Sequence, residues 1–518
     1  MKSTRRHKKE SNPIKLTKRD YKLSEVKQSI FACIPPEVTA GADRLGYELY
    51  AVGGCVRDPI LGRAIGDVDL AVVGDASKLA QNLARELNAG QVTIYARFGT
   101  AMLRIGDRNF EFATARAESY QPDSRKPVEV HLVPIELDLK RRDFTINALA
   151  LAVNGARQGE LIDLFSGLAD LKAHILRTPL DPEVTFSDDP LRMLRAIRFA
   201  ADFGFDVHPD TWRGIQTQVT RLRIVAPERI GEEFWKMLSG SDPVRAMQLL
   251  LDSGIAAVII PEVAAMAGVE QINRHHHKDV LLHSLKVMQN VAEKTSDPVV
   301  RLAALLHDVG KPGTKRFDPQ DGWTFHGHEA LGAKMTWRIG RRLRIGHDSL
   351  EKLTRLVRYH MRPVNLADEG VTDSAIRRLM VDFGDSQDNQ LILCRADITT
   401  ANPKLVTRYL ANFDEMVRRM TDVEARDRMR NFQSPVRGGE IMELCDIPPG
   451  PLVGALKERV EDAILDGIIP YEYEAAKDYL LKIRDEVVTA NTELLSAERR
   501  ERARQRRLVT SDFTFPEQ

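Results

Sequence analysis

Apolar positions repeat along the chain with two different periods. Short apolar runs predict strands at Tyr47–Val52, Asp67–Val73, Val92–Ile94, Ala101–Ile105 and Asn109–Ala113. Helical spacing predicts helices at Leu23–Leu45, where Pro35 and Pro36 restart the helix, and at Ala76–Leu87. From about residue 179 onward the apolar stretches have helical spacing. The pattern therefore predicts an α+β head with a small mixed sheet, followed by all-α segments.

One stretch of the head, from Val52 to Asp69, combines a glycine turn with paired carboxylates. The strand that ends at Val52 runs into Gly53 and Gly54, and without a Cβ the backbone N–H groups there can approach an anion closely. A helical turn with Arg57 follows, and its guanidinium would add a positive charge for phosphates. The stretch thus predicts a phosphate-binding turn that includes Gly54 and Arg57.

Three carboxylates are predicted to form a metal site beside this turn. Asp67 and Asp69 are two apart on a strand and therefore point to the same face. Adjacent carboxylates repel each other unless a cation lies between them, and hard oxygen ligands favour Mg²⁺, which keeps positions open for substrate phosphates. Glu111 lies on a strand long enough to reach them. We assign all three as catalytic residues, with Asp67 and Asp69 as ligands of Mg²⁺.

A long connection and a basic motif follow. Residues 114–136 are polar and interrupted by prolines, which is typical of a moving functional loop or of disorder. In the motif at residues 140–148, Arg142 can hold triphosphate oxygens in a fork. Asp143 and Asn147 are four apart and would share one face of a helix, which suits the hydroxyls of a ribose. Basic clusters are usually solvated surfaces, but this one interrupts an apolar sequence, which favours nucleotide binding.

A further helix is predicted to begin at Pro190, and Asp189 before it would either cap the helix or read a base. A pair formed by Asp189 and Arg192 complements the Watson–Crick edges of cytosine and adenine, which both present an amino donor beside a ring-nitrogen acceptor. Uracil and guanine reverse that order, so a wrong base leaves polar groups unpaired. Arg195 and Arg198 on nearby faces are candidates for phosphate contacts.

Together these motifs resemble the class II tRNA nucleotidyltransferases, or CCA-adding enzymes, of the polymerase β-like superfamily. The resemblance is carried by Gly53-Gly54-x-Val56-Arg57-Asp58 with Asp67-x-Asp69, by residues 141–147, and by Asp188-Asp189-x-x-Arg192, where the family usually has Glu-Asp. It implies template-independent addition of CMP, CMP and AMP from CTP and ATP to the 3′ end of tRNA, with the same residues binding metal, nucleotide and base.

Bacterial poly(A) polymerases are similar in these head motifs, so a poly(A) polymerase or an enzyme that adds only A or only CC stays an alternative. Residues 116–127 resemble the flexible loop of complete CCA-adding enzymes, which favours the full reaction.

The second half of the chain has a candidate site for a different metal. His307 and Asp308 are adjacent at a predicted helix end, His283 lies on an earlier helix and Asp397 on a later one. Such a mixed nitrogen and oxygen set suits a divalent transition metal such as Ni, Mn, Co or Fe. His326, His328 and His360 would add a second metal or contact phosphate.

This arrangement resembles the HD phosphohydrolase superfamily, which many bacterial CCA-adding enzymes carry behind the head and bacterial poly(A) polymerases lack. The resemblance implies phosphatase or cyclic phosphodiesterase activity on 2′- or 3′-phosphorylated nucleotides. A further hypothesis makes this domain the enzyme and the head a catalytically inactive RNA-binding module.

Composition limits the partners. A charge of 75 − 74 = +1 gives no global positive field, so any RNA surface is local. The four cysteines have no metal-ligand spacing, which fits reduced thiols in the cytoplasm. No apolar run approaches the ~18 residues of a membrane span, so no membrane partner is expected.

The length of 518 residues predicts three or four domains besides the flanking extensions. We expect a basic disordered arm at 1–27, the nucleotidyltransferase head at 28–178, a helical neck with the base-selecting helix at 179–266, the HD domain at 267–432, a C-terminal helical tRNA-binding region at 433–490 and a charged tail at 491–518. The arm and the tail are either RNA contacts or solvated ends, and the oligomeric state is left open.

Overall fold

A computed structural model describes residues 22–96, 99–121, 124–273, 276–320, 322–363, 372–399, 402–427 and 432–490. Most of the predicted arm and the whole predicted tail lie outside these residues. The chain divides into two compact units. The first comprises the residues up to 305, together with 315–324 and 335–350, and the second comprises 306–314, 325–334 and the residues from 351 onward.

The described strands are β1 (Glu48–Val52), β2 (Val68–Val73), β3 (Thr93–Tyr95), β4 (Thr100–Ile105), β5 (Arg108–Thr114), β6 (Arg116–Gln121), β7 (Ser124–Leu132), β8 (Leu149–Ala152), β9 (Leu161–Asp163), β10 (Ile175–Leu176), β11 (Asp206–Val207), β12 (Glu270–Asn273), β13 (His276–Asp279), β14 (Arg316–Asp318) and β15 (Gly322–Thr324).

The described helices are α1 (Leu23–Phe31), α2 (Pro36–Arg44), α3 (Gly54–Ile60), α4 (Ala76–Glu86), α5 (Ile135–Lys140), α6 (Gly167–Ala173), α7 (Pro182–Asp188), α8 (Leu191–Phe203), α9 (Pro209–Gln218), α10 (Pro227–Ser239), α11 (Pro243–Asp252), α12 (Ile255–Ile259), α13 (Pro261–Ala264), α14 (Val280–Ala292), α15 (Pro298–Leu306), α16 (Lys311–Thr314), α17 (His328–Arg342), α18 (His347–Tyr359), α19 (Asp373–Phe383), α20 (Gln387–Asp397), α21 (Pro403–Asp427), α22 (Gly438–Cys445), α23 (Pro451–Leu465) and α24 (473–490). None of these helices has the length and continuous apolar character needed to cross a bilayer.

A seven-stranded sheet organises the head, in the order β3-β4-β5-β2-β1-β8-β9. Strands β2 and β5 are parallel and the other neighbours are antiparallel, so the predicted mixed sheet is confirmed. The five predicted strands begin and end within about one residue of the observed ones. Because the chain alternates between faces, Val68 and Leu70 are buried while Asp69 between them is only half-buried.

Helices cover the sheet where its apolar residues point. Asp75 caps α4 by accepting a hydrogen bond from the backbone N–H of Lys78 at 3.0 Å, and α4 then packs on β2, β4 and β5. On one face of the sheet, Tyr50 belongs to a buried cluster with Ile135 and Leu139 of α5. This packing buries that face of β1 and β2.

Residues 114–136 do not form the expected irregular loop. Strands β6 and β7 pair as an antiparallel hairpin, with Arg116 opposite Leu132. The register shifts around Tyr120, which pairs with Pro127. A two-stranded ribbon tolerates proline because half of its backbone N–H groups point away from the ladder. Pro127 therefore marks an irregular position within a hairpin rather than the absence of strands.

The neck is helical, as predicted. Helices α7 to α13 span most of residues 179–266, and the two-residue strand β11 is an exception. At the other end of the unit, α1 begins at Leu23, so residues 23–27 are helical and do not belong to the predicted disordered arm.

The segment predicted as the HD domain, 267–432, differs from the expectation in two ways. It contributes to both compact units, because α14 packs on α11 of the neck and buried Arg301 donates hydrogen bonds to the carbonyls of Leu238 and Gly240. It is also not all helical, since β12–β13 and β14–β15 form two antiparallel hairpins. The remaining helices of the second unit, α19 to α24, share one buried apolar core around Phe383, Phe413 and Leu480.

Candidate functional site

The glycine turn at the end of β1 brings a carboxylate and a guanidinium together. Gly53 has a φ of 64°, which residues with a Cβ rarely adopt. A Cβ built there would lie 3.6 Å from Nη1 of Arg142 and 3.9 Å from Oδ2 of Asp69. At Gly54, which begins α3, a Cβ would lie 3.6 Å from Nη2 of Arg57. The Asp69 carboxylate and the guanidiniums of Arg57 and Arg142 therefore all lie close to the backbone of the glycine turn.

Three carboxylates converge next to this turn. Asp69 pairs with Glu111 across the parallel strands β2 and β5, and Asp67 immediately precedes β2. Burial, together with the negative charges of Glu111 and Asp67, raises the pKa of Asp69 to about 6, although Arg142 acts in the opposite direction. Oxygen ligands that repel one another in this way fit a hard divalent cation.

Cys55 supports the segment that carries Asp67 and Asp69, a role that has no signal in the sequence. The backbone N–H of Asp69 donates to its Sγ at 2.9 Å, and its thiol donates to the carbonyl of Asp67 at 3.4 Å. Burial raises the pKa of Cys55 to about 12, so the thiol stays protonated and can donate. One buried side chain thus connects the backbones of both aspartates.

Asp138 is a second residue that was missed. It is buried and accepts hydrogen bonds from the guanidiniums of Arg141 and Arg142, through Oδ1 at 2.6 Å and Oδ2 at 3.1 Å respectively. Its spacing of three and four residues before these arginines was the available signal. Asp138 engages Nε and Nη2 of Arg142, while Nη1 lies near Gly53.

Asp143 and Asn147 meet, but not on an α-helix as expected. The turn between them is a 3₁₀ helix, Thr145–Asn147, and Asn147 Nδ2 donates to Asp143 Oδ1 at 3.0 Å. Arg57 donates to Asn147 Oδ1 at 2.6 Å, and Arg195 donates to Asp143 Oδ2 at 2.8 Å. Burial alone would raise the pKa of Asp143, but Arg195 and the hydrogen bond from Asn147 outweigh it and lower the pKa to about 2.

The predicted base-reading pair has other partners in this structure. Asp189 accepts two hydrogen bonds from Arg229, at 2.9 and 3.3 Å, and one from the backbone N–H of Leu191. Arg192 donates to the carbonyl of Arg141 at 2.5 Å. The contact to Arg141 places this helix beside the Arg142 and Asp143 segment, so both groups border the same part of the first unit. Arg229 has no sequence signal, because it is 40 residues away.

Arg198 was expected to be a phosphate contact, and its guanidinium is engaged elsewhere. It donates to Oε2 of buried Glu233 at 2.7 Å and lies 4.2 Å from the ring centroid of Phe199. The neighbouring Arg57 stacks 5.2 Å from the same ring. These contacts tie helices α8 and α10 to the head.

A cluster of histidines and aspartates lies in the second unit. Ligand atoms of Asp308, His328 and His360 all lie within 4.8 Å of one another, and all three side chains are buried. His307 Nε2 lies 3.2 Å from Asp308 Oδ2 and 3.6 Å from Asp397 Oδ1. Asp308 is therefore central, with two groups of potential ligands on its two oxygens. This donor set fits a divalent transition metal.

Two further histidines were predicted to contribute to this metal site. His283 is half-buried on α14 of the first unit, and its part in this cluster stays a prediction. His326 is exposed, two residues before His328. Lys311 donates to Asp308 Oδ2 at 2.6 Å, a contact that the sequence analysis did not include.

Three protein-family models match the chain. The poly(A) polymerase head domain matches residues 49–177, the probable RNA and SrmB-binding site of polymerase A matches 204–266, and the HD domain matches 280–402.

Among similar proteins, the multifunctional CCA protein of Nitrosococcus oceani is 37% identical over 322 residues, covering 60% of this chain and 74% of that protein. The structure of the Bacillus stearothermophilus CCA-adding enzyme in complex with CTP matches 88% of this chain and 100% of its own, with a TM-score of 0.59 and 23% identity. The Thermotoga maritima CCA-adding enzyme complexed with tRNA matches 88% and 98%, with a TM-score of 0.54 and 21% identity.

Proposed function

The chain belongs to the family of the multifunctional CCA proteins and CCA-adding enzymes, and we propose that it adds CMP, CMP and AMP from CTP and ATP to the 3′ end of tRNA. Membership of the family makes it a nucleotidyltransferase with an HD domain. The observation that carries the proposal is the convergence of Asp67, Asp69 and Glu111 with the Gly53 turn and Arg142.

Mg²⁺ is the proposed metal of the head, held by Asp67 and Asp69 with Glu111 beside them. When bound, the metal would activate the primer 3′-hydroxyl and stabilise the leaving pyrophosphate. The protein itself supplies carboxylates at fixed spacing, because the Cys55 thiol bridges the backbones of the two aspartates.

The triphosphate is proposed to bind between the N-terminus of α3 and Arg142. Asp138 holds two nitrogens of the Arg142 guanidinium, which orients the third toward Gly53. Backbone N–H groups at Gly54 would complete the contact. Asp143 and Asn147 would bind the ribose, since Arg57 and Arg195 orient them from either side.

Base selection is proposed to lie with Asp189 and Arg192. The carboxylate of Asp189 would accept a hydrogen bond from the amino group of cytosine or adenine. Arg229 holds this carboxylate in position through two hydrogen bonds. Arg192 would exchange its present carbonyl acceptors for the ring nitrogen of the base.

The HD site is proposed to hydrolyse 2′- or 3′-phosphorylated nucleotides with a divalent transition metal. Asp308 would be the central ligand, with His307 and Asp397 on one side and His328 and His360 on the other. Lys311 would neutralise negative charge at the same carboxylate.

The cytoplasm is the proposed location, where tRNA and nucleotides are available. The four free cysteines are consistent with it, because thiols stay reduced there. Residues 433–490 are proposed to contribute to tRNA binding.

One incubation tests the transfer reaction. Purified full-length protein receives a tRNA transcript that lacks its last three nucleotides, with labelled CTP, ATP or both. We expect two CMP additions with CTP alone and a further AMP when ATP is present. Asp69→Asn abolishes both steps, whereas Asp107→Asn, an exposed carboxylate in the turn after β4, does not.

Other results would contradict the proposal. AMP tracts on unrelated RNA without CTP incorporation would indicate a poly(A) polymerase. Phosphatase activity without any nucleotide incorporation by the wild type would indicate that only the HD domain is an enzyme. Asp308→Asn distinguishes the two sites, because it removes hydrolysis and leaves transfer intact.

A further inference from the structure

The hairpin formed by β14 (Arg316–Asp318) and β15 (Gly322–Thr324) presents an aromatic pair to solvent. Phe317 and Trp323 are directly opposite each other in the ladder, and their ring centroids are 5.4 Å apart with planes at 72°. Phe317 is 64% exposed, among the most exposed large apolar side chains of the described residues. Because water contacts so much of this ring, packing in the core of the fold does not explain why an aromatic residue is present at this position.

One cation lies over the rings. Lys315 Nζ lies 4.6 Å from the Trp323 ring centroid, whereas Arg316 pairs with Thr324 and therefore points to the opposite face of the hairpin. Within the part of the chain that the structure describes, Lys315 makes no salt bridge with a carboxylate, so its charge is available to a ligand. The hairpin's own Asp318 accepts a hydrogen bond from the backbone N–H of Gln320 at 2.8 Å, which forms the turn.

The base of the hairpin is anchored. Thr324 Oγ1 donates to the carbonyl of Arg316, and β15 packs against β12 of the same unit. The ring of Phe317 is thus held edge to face by Trp323 on an anchored ribbon. A ring presented in this way is preorganised and loses little conformational freedom on binding.

We propose that this hairpin binds unpaired RNA, with a base stacked on Phe317 and a phosphate contacted by Lys315. Every base has a π-face and every nucleotide a negative charge, so a flat ring next to a cation matches the chemistry of a single strand. A protein partner would need a wider apolar surface, whereas the apolar area here is two rings bordered by charge. The site is separate from the transfer site and does not depend on its activity.

The test measures binding of a fluorescein-labelled 12-nucleotide single-stranded RNA to the full chain by anisotropy, in EDTA so that no reaction proceeds. Phe317→Ala is expected to weaken binding by about 5- to 150-fold, the range for loss of one stacked base. Phe317→Tyr keeps the ring and should bind as the wild type does, while Phe317→Leu keeps only apolar area and should resemble Phe317→Ala. Lys315→Gln should reduce the salt dependence of binding.

Matched controls keep the result interpretable. Leu282→Ala removes an equally exposed apolar side chain, 66% exposed, and should leave binding unchanged. A blunt RNA duplex should bind the wild type and Phe317→Ala equally, because its bases are already stacked. A separate assay of CMP addition by Phe317→Ala shows whether the transfer site is intact. Failure of the RNA-binding proposal can therefore be distinguished from failure of the proposed transfer function.

Two outcomes overturn the inference. One is equal affinity of Phe317→Ala and wild type for the single strand. The other is equal affinity of Phe317→Leu and Phe317→Tyr, which would show an apolar contact rather than stacking. If the first outcome occurs and sedimentation also shows that Phe317→Ala abolishes self-association, the hairpin is a protein contact.

Discussion

Arg229→Ala is expected to weaken the choice between bases without abolishing transfer. Arg229 donates two hydrogen bonds to the carboxylate of Asp189, at 2.9 and 3.3 Å. Without it, that carboxylate keeps the backbone N–H of Leu191 but loses two donors that help to set its rotation. The carboxylate can then turn away from the amino group of a cytosine or adenine, so a correct base loses part of its advantage.

The size of the effect follows from the exposure of the pair. The side chains of Arg229 and Asp189 are 34% and 23% exposed, so this ion pair is neither a surface pair nor fully desolvated. Hydrogen bonds to charged groups contribute about 1.5 to 3 kcal/mol when buried, and exposed ion pairs about 0 to 1 kcal/mol. An intermediate loss of about 1 to 2 kcal/mol corresponds to roughly 5- to 30-fold in discrimination.

The assay compares kcat/KM for CTP and for UTP on the same truncated tRNA transcript. We expect the CTP to UTP ratio of Arg229→Ala to fall by about 5- to 30-fold. Arg229→Lys keeps the charge with a single compact donor group and should lose less. Arg223→Ala, an exposed arginine six residues earlier, is the matched control and should keep the wild-type ratio. A uniform loss of rate with an unchanged ratio would refute the reasoning and make Arg229 a packing residue only.

Three further predictions concern the metal sites. Cys55→Ala removes the acceptor for the backbone N–H of Asp69, so the Mg²⁺ concentration for half-maximal transfer should rise about 5-fold in a Mg²⁺ titration. An unchanged concentration would contradict the supporting role of the thiol. The pKa of Asp69 is raised to about 6 before metal binds, so protons compete with Mg²⁺ for this carboxylate and the apparent affinity for Mg²⁺ should fall up to about 10-fold per pH unit below pH 6. Glu111→Gln should shift the onset of this fall to lower pH, and the same onset in both proteins would exclude the coupling between Glu111 and Asp69. At Gly310 a Cβ would lie 2.2 Å from the carbonyl oxygen of His328, so Gly310→Ala should displace this candidate ligand and lower the transition-metal content measured by mass spectrometry, with CMP addition unchanged. Gly346→Ala, where a Cβ has open space around it, should keep the metal.

The sequence by itself determined the strands of the head, the glycine turn and the pairing of its carboxylates. These features depend on local geometry: residues two apart on a strand share a face, so spacing alone predicts that the carboxylates of Asp67 and Asp69 lie close together, and the charge of Asp67 does raise the pKa of Asp69. The same reasoning failed at residues 114–136, because the pairing of two strands depends on their register and not on the prolines within them.

Only the tertiary structure decided which groups hold the functional side chains. Asp189 pairs with Arg229 over 40 residues, Arg57 with Asn147 over 90, and the HD segment divides between two compact units. Such partners are chosen by packing, because a buried charge must find a hydrogen-bonding group wherever the fold brings one near. Spacing along the chain carries no record of that choice. For this reason the role of Cys55, whose thiol is hydrogen-bonded to the backbone of Asp67 and Asp69 at the start of β2, was visible only in three dimensions.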